Sequence, residues 1–435
     1  MREVIEPGEW NAAVKALGGS IAQSWEWGSL HQGQGYHPLR LLDEKDRGAV
    51  QLLLKDRSGG GGSVAYIPYG PLAASVSDLA EVTESAARWA RGRGAYLLKV
   101  EPRVGVEAAR GMLRAGGYVN TARELPVRTR IIRVPKDPEE HPRALPKKAR
   151  YGIRRAHQEG IEVQRLSNGS PDMDNKMGEF LKLLKVTAER HGFYTAPEEF
   201  YRQVVRGLPT HLLLAYHEGT LVAAAIVATF GEEAYYLFGA STTEKGNLYA
   251  PYLLQWEAME VARQQGCSRY DMWGISSRSS PRTKGFIQFK QKFGGSVEEY
   301  PGAYIRVLSY PELLKYGAPS LAFRTARFAI KTVRSYLPRA RRKLGSKVPV
   351  QRDSGELSAP HAGSRHRSAG RSRSVKQLIT LSLYYITSDA YARAFVGEEA
   401  RAFGELAHGP PAPFIGSTSP QPPNVIAEYQ DEARL

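Results

Sequence analysis

The chain has 435 residues, 42% of them hydrophobic and 10% aromatic, enough apolar material for two or three domains with their own cores. Its single cysteine, Cys267, excludes an intramolecular disulfide framework; MREVIEPGEW places charges where a signal peptide needs an apolar stretch, and no run approaches the roughly 20 apolar residues of a membrane helix. A soluble, cytoplasmic protein is expected, and a formal net charge of +16 points to anionic partners: nucleic acid, phosphorylated substrates or anionic lipid.

In chain order, a helix is expected over 8–17, followed by QSWEWG (23–28) with two tryptophans. Residues 37–56 read as strand, turn, strand. A glycine run at 59–62 marks a loop, and 64–72 reads as a third strand. A helix over 78–93, closed by Gly94, leads to an apolar strand at 95–102. The stretch 135–166 is proline-rich up to Pro146. Residues 147–159 then read as one helix with Lys147, Lys148, Arg150, Arg154 and Arg155, of which positions 147, 150 and 154 share a face. Helices are expected over 172–191 and 197–207.

The first pattern then returns. Residues 211–231 read as strand, turn, strand, 232–241 as a third strand and 251–265 as a helix closed by Gly266. Residues 267–274 read as the last strand. Gly70 to Glu101 spans 31 positions and Gly239 to Asp271 spans 32; Gly94 to Glu101 and Gly266 to Trp273 both span 7. Matching order and spacing indicate an internally duplicated β-β-β-α-β unit. A meander, a helix and a returning strand make a mixed sheet covered by helices, so the expected fold is α/β, with two tandem acetyltransferase-like (GNAT-type) units. The expected domains are 1–145 and 146–317, followed by a basic amphipathic helix at 318–345. There Phe323, Ile330, Val333 and Leu337 form a stripe beside Arg324, Arg327, Lys331 and Arg334. The remainder, 346–435, is low in complexity and expected to be disordered.

Common catalytic signatures are missing. There is no G-x-S-x-G, no H-E-x-x-H and no G-x-x-x-x-G-K-[ST], and the histidines do not pair at metal-ligand spacings, so neither a metal nor a cofactor is expected. Cys267 reads as structural. The glycine-rich loop that cradles a pyrophosphate before the helix is absent from both units, where the chain reads GPLAASVSDLA and TTEKGNLYAPYLL; this argues against acyl-CoA.

What remains is a series of motifs: QSWEWG (23–28), YIPYGP (66–71), KKARYGIRRA (147–156), YLFGAST (236–242), APYLLQWEAM (250–259), YDMWGI (270–275) and FKQKFGG (289–295). In this order they resemble the FemABX family of peptidoglycan aminoacyltransferases, over about residues 1–317. The resemblance implies transfer of an amino acid from aminoacyl-tRNA to an amine of a peptidoglycan-precursor pentapeptide, UDP-linked or lipid-linked. The interval from Arg150 to Gly239 leaves no room for the coiled-coil arm of larger members, so the chain is similar to the armless branch. Lys290 matches the family's F-K lysine, which implies stabilisation of developing charge near the tRNA terminal ribose; the alternative is a solvated lysine at a strand end. Phe289 is placed to stack on the terminal adenine. Asp271 is the carboxylate candidate for accepting or orienting the amine proton, with a turn or cap role as the alternative. Trp27, His31, Tyr69, Gly70, Tyr236 and Tyr252 are expected to contact substrate. Lys147, Lys148, Arg150 and Arg154 are expected to meet tRNA or other phosphate, and 318–345 to touch an anionic membrane. The chain departs from the family at His31, where a lysine is common, at Tyr69, where a basic residue is common, and near Ala196, where an arginine is common; these bear on the acceptor. Competing expectations are an N-acyltransferase using acyl-CoA or an acyl carrier, and a non-catalytic RNA- or membrane-binding protein.

Overall fold

The computed structural model of the chain describes residues 1–56, 62–121, 123–191, 195–243, 248–275, 281–313 and 315. The expected helix at 318–345 and the tail at 346–435 lie outside the described residues, as does most of the 59–62 glycine run.

Both repeats form as expected. In the first, strands Tyr36–Leu42, Gly48–Asp56 and Ser63–Ile67 make an antiparallel meander. Helix Val76–Gly92 follows, and Ala95–Val100 returns parallel to Ser63–Ile67. In the second, Thr210–His217, Thr220–Phe230 and Glu233–Ser241 make the meander. Helix Ala250–Gln264 follows, and Arg269–Gly274 returns parallel to Glu233–Ser241. The helix ends follow local chemistry. Ser75 caps Val76–Gly92 by accepting the Asp78 N–H at 3.1 Å, and Gly94 and Gly266 stop their helices at φ +80° and +78°.

The second sheet shows how alternation builds two cores from one strand pair. Leu212, Leu214, Ala224 and Ile226 face Phe180, Leu181 and Leu184 of helix Met173–His191. Their neighbours Leu213, Ala215, Ala223, Ala225 and Val227 face Leu253, Ala258 and Met259 of helix Ala250–Gln264. Each fully buried Leu or Ile contributes about 1.5–3 kcal/mol. The alanines let both helices approach a strand that is covered on both faces.

The sheets exchange strands. The first runs Arg2–Glu3, Tyr36–Leu42, Gly48–Asp56, Ser63–Ile67, Ala95–Val100, Ala303–Val307, Val119–Thr121; the second runs Ser296–Glu299, Arg128–Arg133, Arg269–Gly274, Glu233–Ser241, Thr220–Phe230, Thr210–His217, Glu162–Ser167. Arg128–Arg133 thus precedes position 145 yet belongs to the second sheet, and Ala303–Val307 follows 146 yet belongs to the first. An apolar cluster closes the junction, with Trp10, Val14, Ile21 and Leu42 from one side and Val204, Leu208, Phe230 and Tyr235 from the other.

Candidate active site

The two repeats differ where their parallel strands end. In the first, pairing runs through Ile67 and Val100, and the Glu101 N–H donates to the Ile67 carbonyl at 3.0 Å. In the second, pairing stops at Tyr235 and Asp271, although Glu233–Ser241 continues to Ser241. The strands part because Arg269–Gly274 bends. Trp273 adopts φ +62°, and the register against Arg128–Arg133 shifts between Asp271 and Gly274. A left-handed conformation costs a non-glycine residue roughly 1–3 kcal/mol, so something must hold it. Asp271 does. Its Oδ1 accepts the Trp273 N–H at 2.7 Å and the Thr129 hydroxyl as well.

Lys290 is directed at this bend. It lies in helix Pro281–Gln291 and is 1% exposed, so it is neither at a strand end nor solvated. Its Nζ donates to the carbonyls of Met272 at 2.6 Å and Gly274 at 2.8 Å, with Trp273 O at 3.4 Å. Burial pushes the amine down to about 7, while the nearby Asp271 carboxylate raises it. Only an ammonium has three protons for three carbonyls. The Phe286 ring centroid is 4.0 Å from Nζ and that of Tyr236 5.8 Å. When protonated, this amine places a positive charge where the strands part, a position suited to an oxyanion.

Asp271 is 1% exposed, and burial is the main cause that pushes its carboxyl up to about 6. Its Oδ2 lies 3.6 Å from Arg103 Nη2. Arg103 follows the last strand of the first repeat and was not signalled by any motif. Its Nη1 and Nη2 reach Glu233 at 2.5 and 3.1 Å, and its Nε reaches the Tyr300 hydroxyl at 2.9 Å. The repeat offered one clue, because its spacing matches Glu101 with Asp271. Both are buried carboxylates that accept backbone N–H groups, Glu101 from Glu124 at 2.8 Å and Leu125 at 2.9 Å.

The remaining candidates divide. Tyr236 stands beside Lys290, and burial pushes its phenol up to about 12. Gly239 makes this possible, since a Cβ there would lie 1.7 Å from the Tyr236 hydroxyl. Phe289 packs edge-on against Tyr252 and Phe293 at 5.3 Å each, so its ring is largely committed to the core. The exposed ring beside Lys290 is Phe286, 47% exposed and one helical turn earlier. That i, i+4 spacing was the available signal.

Tyr69 and Gly70 differ from expectation. Tyr69 is 3% exposed at φ +43° and donates its hydroxyl to Pro126 O at 2.6 Å. A Cβ on Gly70 would meet Gln23 Nε2 at 2.8 Å. Gln23 in turn ties Pro68 O at 2.6 Å and Gln51 N at 2.9 Å. The Q-S and Y-G-P motifs therefore lock each other in the first unit, and both Tyr69 and Gly70 are buried in that lock. His31 also differs. It is 5% exposed, its Nδ1–H donates to Trp27 O at 2.8 Å, and burial pushes it down to about 4. A neutral ring, 5.5 Å from both Trp27 and Tyr36, supplies no charge to a diphosphate. Trp27 itself is half-buried against the junction cluster.

Lys147, Lys148, Arg150 and Arg154 are all exposed on helix Lys147–Gln158, whose Ala149, Gly152 and Ala156 are buried. Gly152 admits the Tyr252 ring, which a Cβ would meet at 2.5 Å. A run of ring contacts then leads from the basic helix towards Lys290: Tyr151 to Tyr249 at 5.9 Å, Tyr249 to Tyr252 at 5.8 Å, and Tyr252 to Phe289. Cys267 is buried and its thiol is pushed up to about 11, as suits a structural residue. Among the described residues, no group of three or more His, Cys, Asp or Glu side chains could hold a metal, and no helix is long and apolar enough to cross a membrane.

Residues 131–216 and 210–322 match the model of the FemAB family. The UDP-N-acetylmuramoylpentapeptide-lysine N(6)-alanyltransferase of Weissella viridescens is 26% identical over 323 residues, 68% of this chain and 93% of that protein. The lipid II:glycine glycyltransferase of Staphylococcus haemolyticus (strain JCSC1435) is 22% identical over 405 residues, 72% of this chain and 94% of that one. The crystal structure of FemX superposes with a TM-score of 0.64 at 21% identity, covering 73% of this chain and all of that one, which establishes a shared fold.

Proposed function

We propose that this chain is a member of the FemAB family and an acyltransferase that carries an amino acid from aminoacyl-tRNA to an amine of a peptidoglycan-precursor pentapeptide, a reading supported by the match over residues 131–322 and by the likeness to transferases of that kind. The observation that carries this reading is the Lys290 ammonium seated where the second unit's parallel strands part.

The donor is an activated ester, so no covalent enzyme intermediate is needed. The acceptor amine, with an ordinary pKa of about 10.4, attacks as the free base. A C–N bond forms, negative charge develops on the ester oxygen, the C–O bond to the ribose breaks, and one amine proton ends on the ribose hydroxyl. Lys290 keeps its proton throughout. Its longest bond, to Trp273 O, is the one an oxyanion replaces most easily. A positioned donor of this kind contributes about 2.7–4 kcal/mol to the transition state. Tyr236 and Phe286 flank the ammonium and shape the approach. The exposed cations of helix Lys147–Gln158 supply phosphate contacts for tRNA on the same lobe. The precursor lies towards Trp27, with His31 contributing shape and no charge. The basic stripe at 318–345 adds contact with anionic lipid; it is tested by sedimentation with anionic vesicles of the full chain against a chain ending at Tyr316.

The test is incubation of the purified protein with a mixture of charged tRNAs and either UDP-MurNAc-pentapeptide or lipid II, read by mass spectrometry. A gain of one amino-acid residue identifies donor and acceptor together. No gain on either acceptor, or a gain that depends on an acyl-CoA instead of charged tRNA, overturns the proposal.

A further inference from the structure

A buried carboxylate beside a catalytic ammonium invites assignment as the general base, and its hydrogen bonds argue otherwise. A base needs a lone pair open to the proton it takes. Asp271 is 1% exposed, its Oδ1 is shared by the Trp273 N–H and the Thr129 hydroxyl, and its Oδ2 faces the Arg103 guanidinium. What those bonds achieve is conformational. They hold Trp273 at φ +62°, and that bend turns the carbonyls of Met272, Trp273 and Gly274 towards a single point, where Lys290 Nζ sits. Arg103 arrives from the first repeat and is anchored by Glu233 and Tyr300. We propose that Asp271 is a backbone clamp which builds the Lys290 seat, held across the junction by Arg103, and that it takes no proton from the acceptor amine.

The assignment rests on the transferase reading for the role of Lys290, while the clamp itself is a statement about geometry. Asparagine separates the two roles. Its Oδ1 accepts the same two bonds that hold the bend, its Nδ2 gives up only the longer contact with Arg103, and it is no base. The charged and titratable groups whose electrostatics couple to Asp271 are Arg103, Glu233, Lys290 and the phenols of Tyr69, Tyr235, Tyr270 and Tyr300. Asparagine leaves Arg103 paired with Glu233.

The experiment compares Asp271→Asn, Asp271→Ala and Thr129→Val in the full chain, with two readouts. The first is competitive labelling of Lys290 by acetic anhydride, quantified by peptide mass spectrometry, which needs neither donor nor acceptor. The clamp expects labelling as slow as the parent's in Asp271→Asn and markedly faster labelling in Asp271→Ala and Thr129→Val. Fast labelling in Asp271→Asn overturns it. The second is kcat/KM for transfer. A general base contributes about 10²–10⁴-fold, so an Asp271→Asn loss smaller than about tenfold supports the clamp and a loss of that larger size overturns it. Thr129→Val guards against misfolding of the Asp271 variants. It removes a clamp bond and frees a carboxylate lone pair, so the clamp expects reduced transfer and a base expects none. A protein that shows the labelling pattern yet transfers nothing from charged tRNA refutes the function while leaving the clamp standing.

Discussion

Arg103 Nη2 lies 3.6 Å from Asp271 Oδ2, and this contact joins the exit of the first repeat to the strand that carries the second repeat's bend. Arg103 also binds Glu233 through both terminal nitrogens, so one largely buried guanidinium touches both carboxylates, and Glu233 is held as well by Arg269 Nε at 2.7 Å. Removing Arg103 takes the guanidinium partner from the buried Asp271 carboxylate, while Glu233 keeps Arg269, and breaking such a buried pair costs about 3–5 kcal/mol. Arg103→Met is therefore expected to lower the unfolding free energy by about that amount in urea titrations. Arg103→Lys should recover only part, because an ammonium cannot make the bidentate pair. A loss below about 0.5 kcal/mol, the size of an exposed pair, would contradict a buried junction hub.

Lys290 gives a stability signature that is separate from catalysis. Its amine is held near 7 in the folded chain, against an ordinary value of 10.5. Between those values the unfolded chain binds a proton that the native one does not, so native stability rises with pH from about 7 towards 10. Lys290→Met should flatten that rise. The variant also carries a cost to the fold, because the three carbonyl partners of Lys290 lose their donor. Urea midpoints measured at steps across this range, for parent and variant, decide the matter.

The duplication was readable in the sequence because each repeat is local. Hydrophobic alternation, a helix and a glycine stop recur at near-fixed spacing, with Gly94 and Gly266 ending the two helices in equivalent places. The exchanged strands were not readable. Arg128–Arg133 and Ala303–Val307 are short, and their partners lie far along the chain, so nothing in their own composition names a sheet. The site was legible in part. FKQKFGG marked Lys290 and YDMWGI marked Asp271, but hydrogen-bond roles depend on direction, and no motif carries direction. His31 and Tyr69 show this. Both occupy positions where the resemblance suggests cations, and burial makes one neutral and ties the other to Pro126 O.

The rate of transfer should carry the same titration with the opposite consequence. Free acceptor amine increases tenfold per pH unit up to about 10.4. The charged form of Lys290 falls tenfold per unit above about 7. The two slopes cancel, so kcat/KM is expected to rise to about pH 7 and then stay level. Lys290→Arg keeps its charge throughout, and its lower activity should go on climbing towards pH 10. A parent profile that climbs unbroken to pH 10 rules out a titrating Lys290.

Gly152 fixes how closely the basic helix approaches the helix leading to the site. A Cβ there meets the Tyr252 ring at 2.5 Å, and a rigid ring cannot yield as a flexible side chain would. Gly152→Ala should destabilise the chain by about 1–3 kcal/mol, the usual cost of overpacking. Adding Tyr252→Ala to it should cost less than the two single changes summed, because the clash is gone. Thermal unfolding of the two single variants and the double variant completes the cycle; strict additivity would show that the two residues do not press on each other.

The last expectation concerns which substrate the basic helix meets. Lys147, Lys148, Arg150 and Arg154 are exposed, and the opposite face of the same helix is buried through Ala149, Gly152 and Ala156. The cations thus project from a fixed surface, and the Arg154 guanidinium lies 5.8 Å from the half-exposed Tyr151 ring, a pairing of charge and flat ring that suits a nucleotide chain. Each nucleic-acid phosphate that a protein no longer neutralises weakens binding whatever the base sequence and lowers the slope of log K against log salt by about 0.9. Lys147→Glu with Arg150→Glu should therefore raise the KM for charged tRNA, leave kcat near the parent's, and reduce the salt slope by about 2. Neither residue bonds to Lys290 or to the carbonyls that seat it, so Lys290 labelling by acetic anhydride should match the parent and exclude a general loss of structure. A change confined to the KM of the cell-wall precursor would assign the helix to the acceptor diphosphate, and the tRNA path would then have to be sought on another face of the second unit.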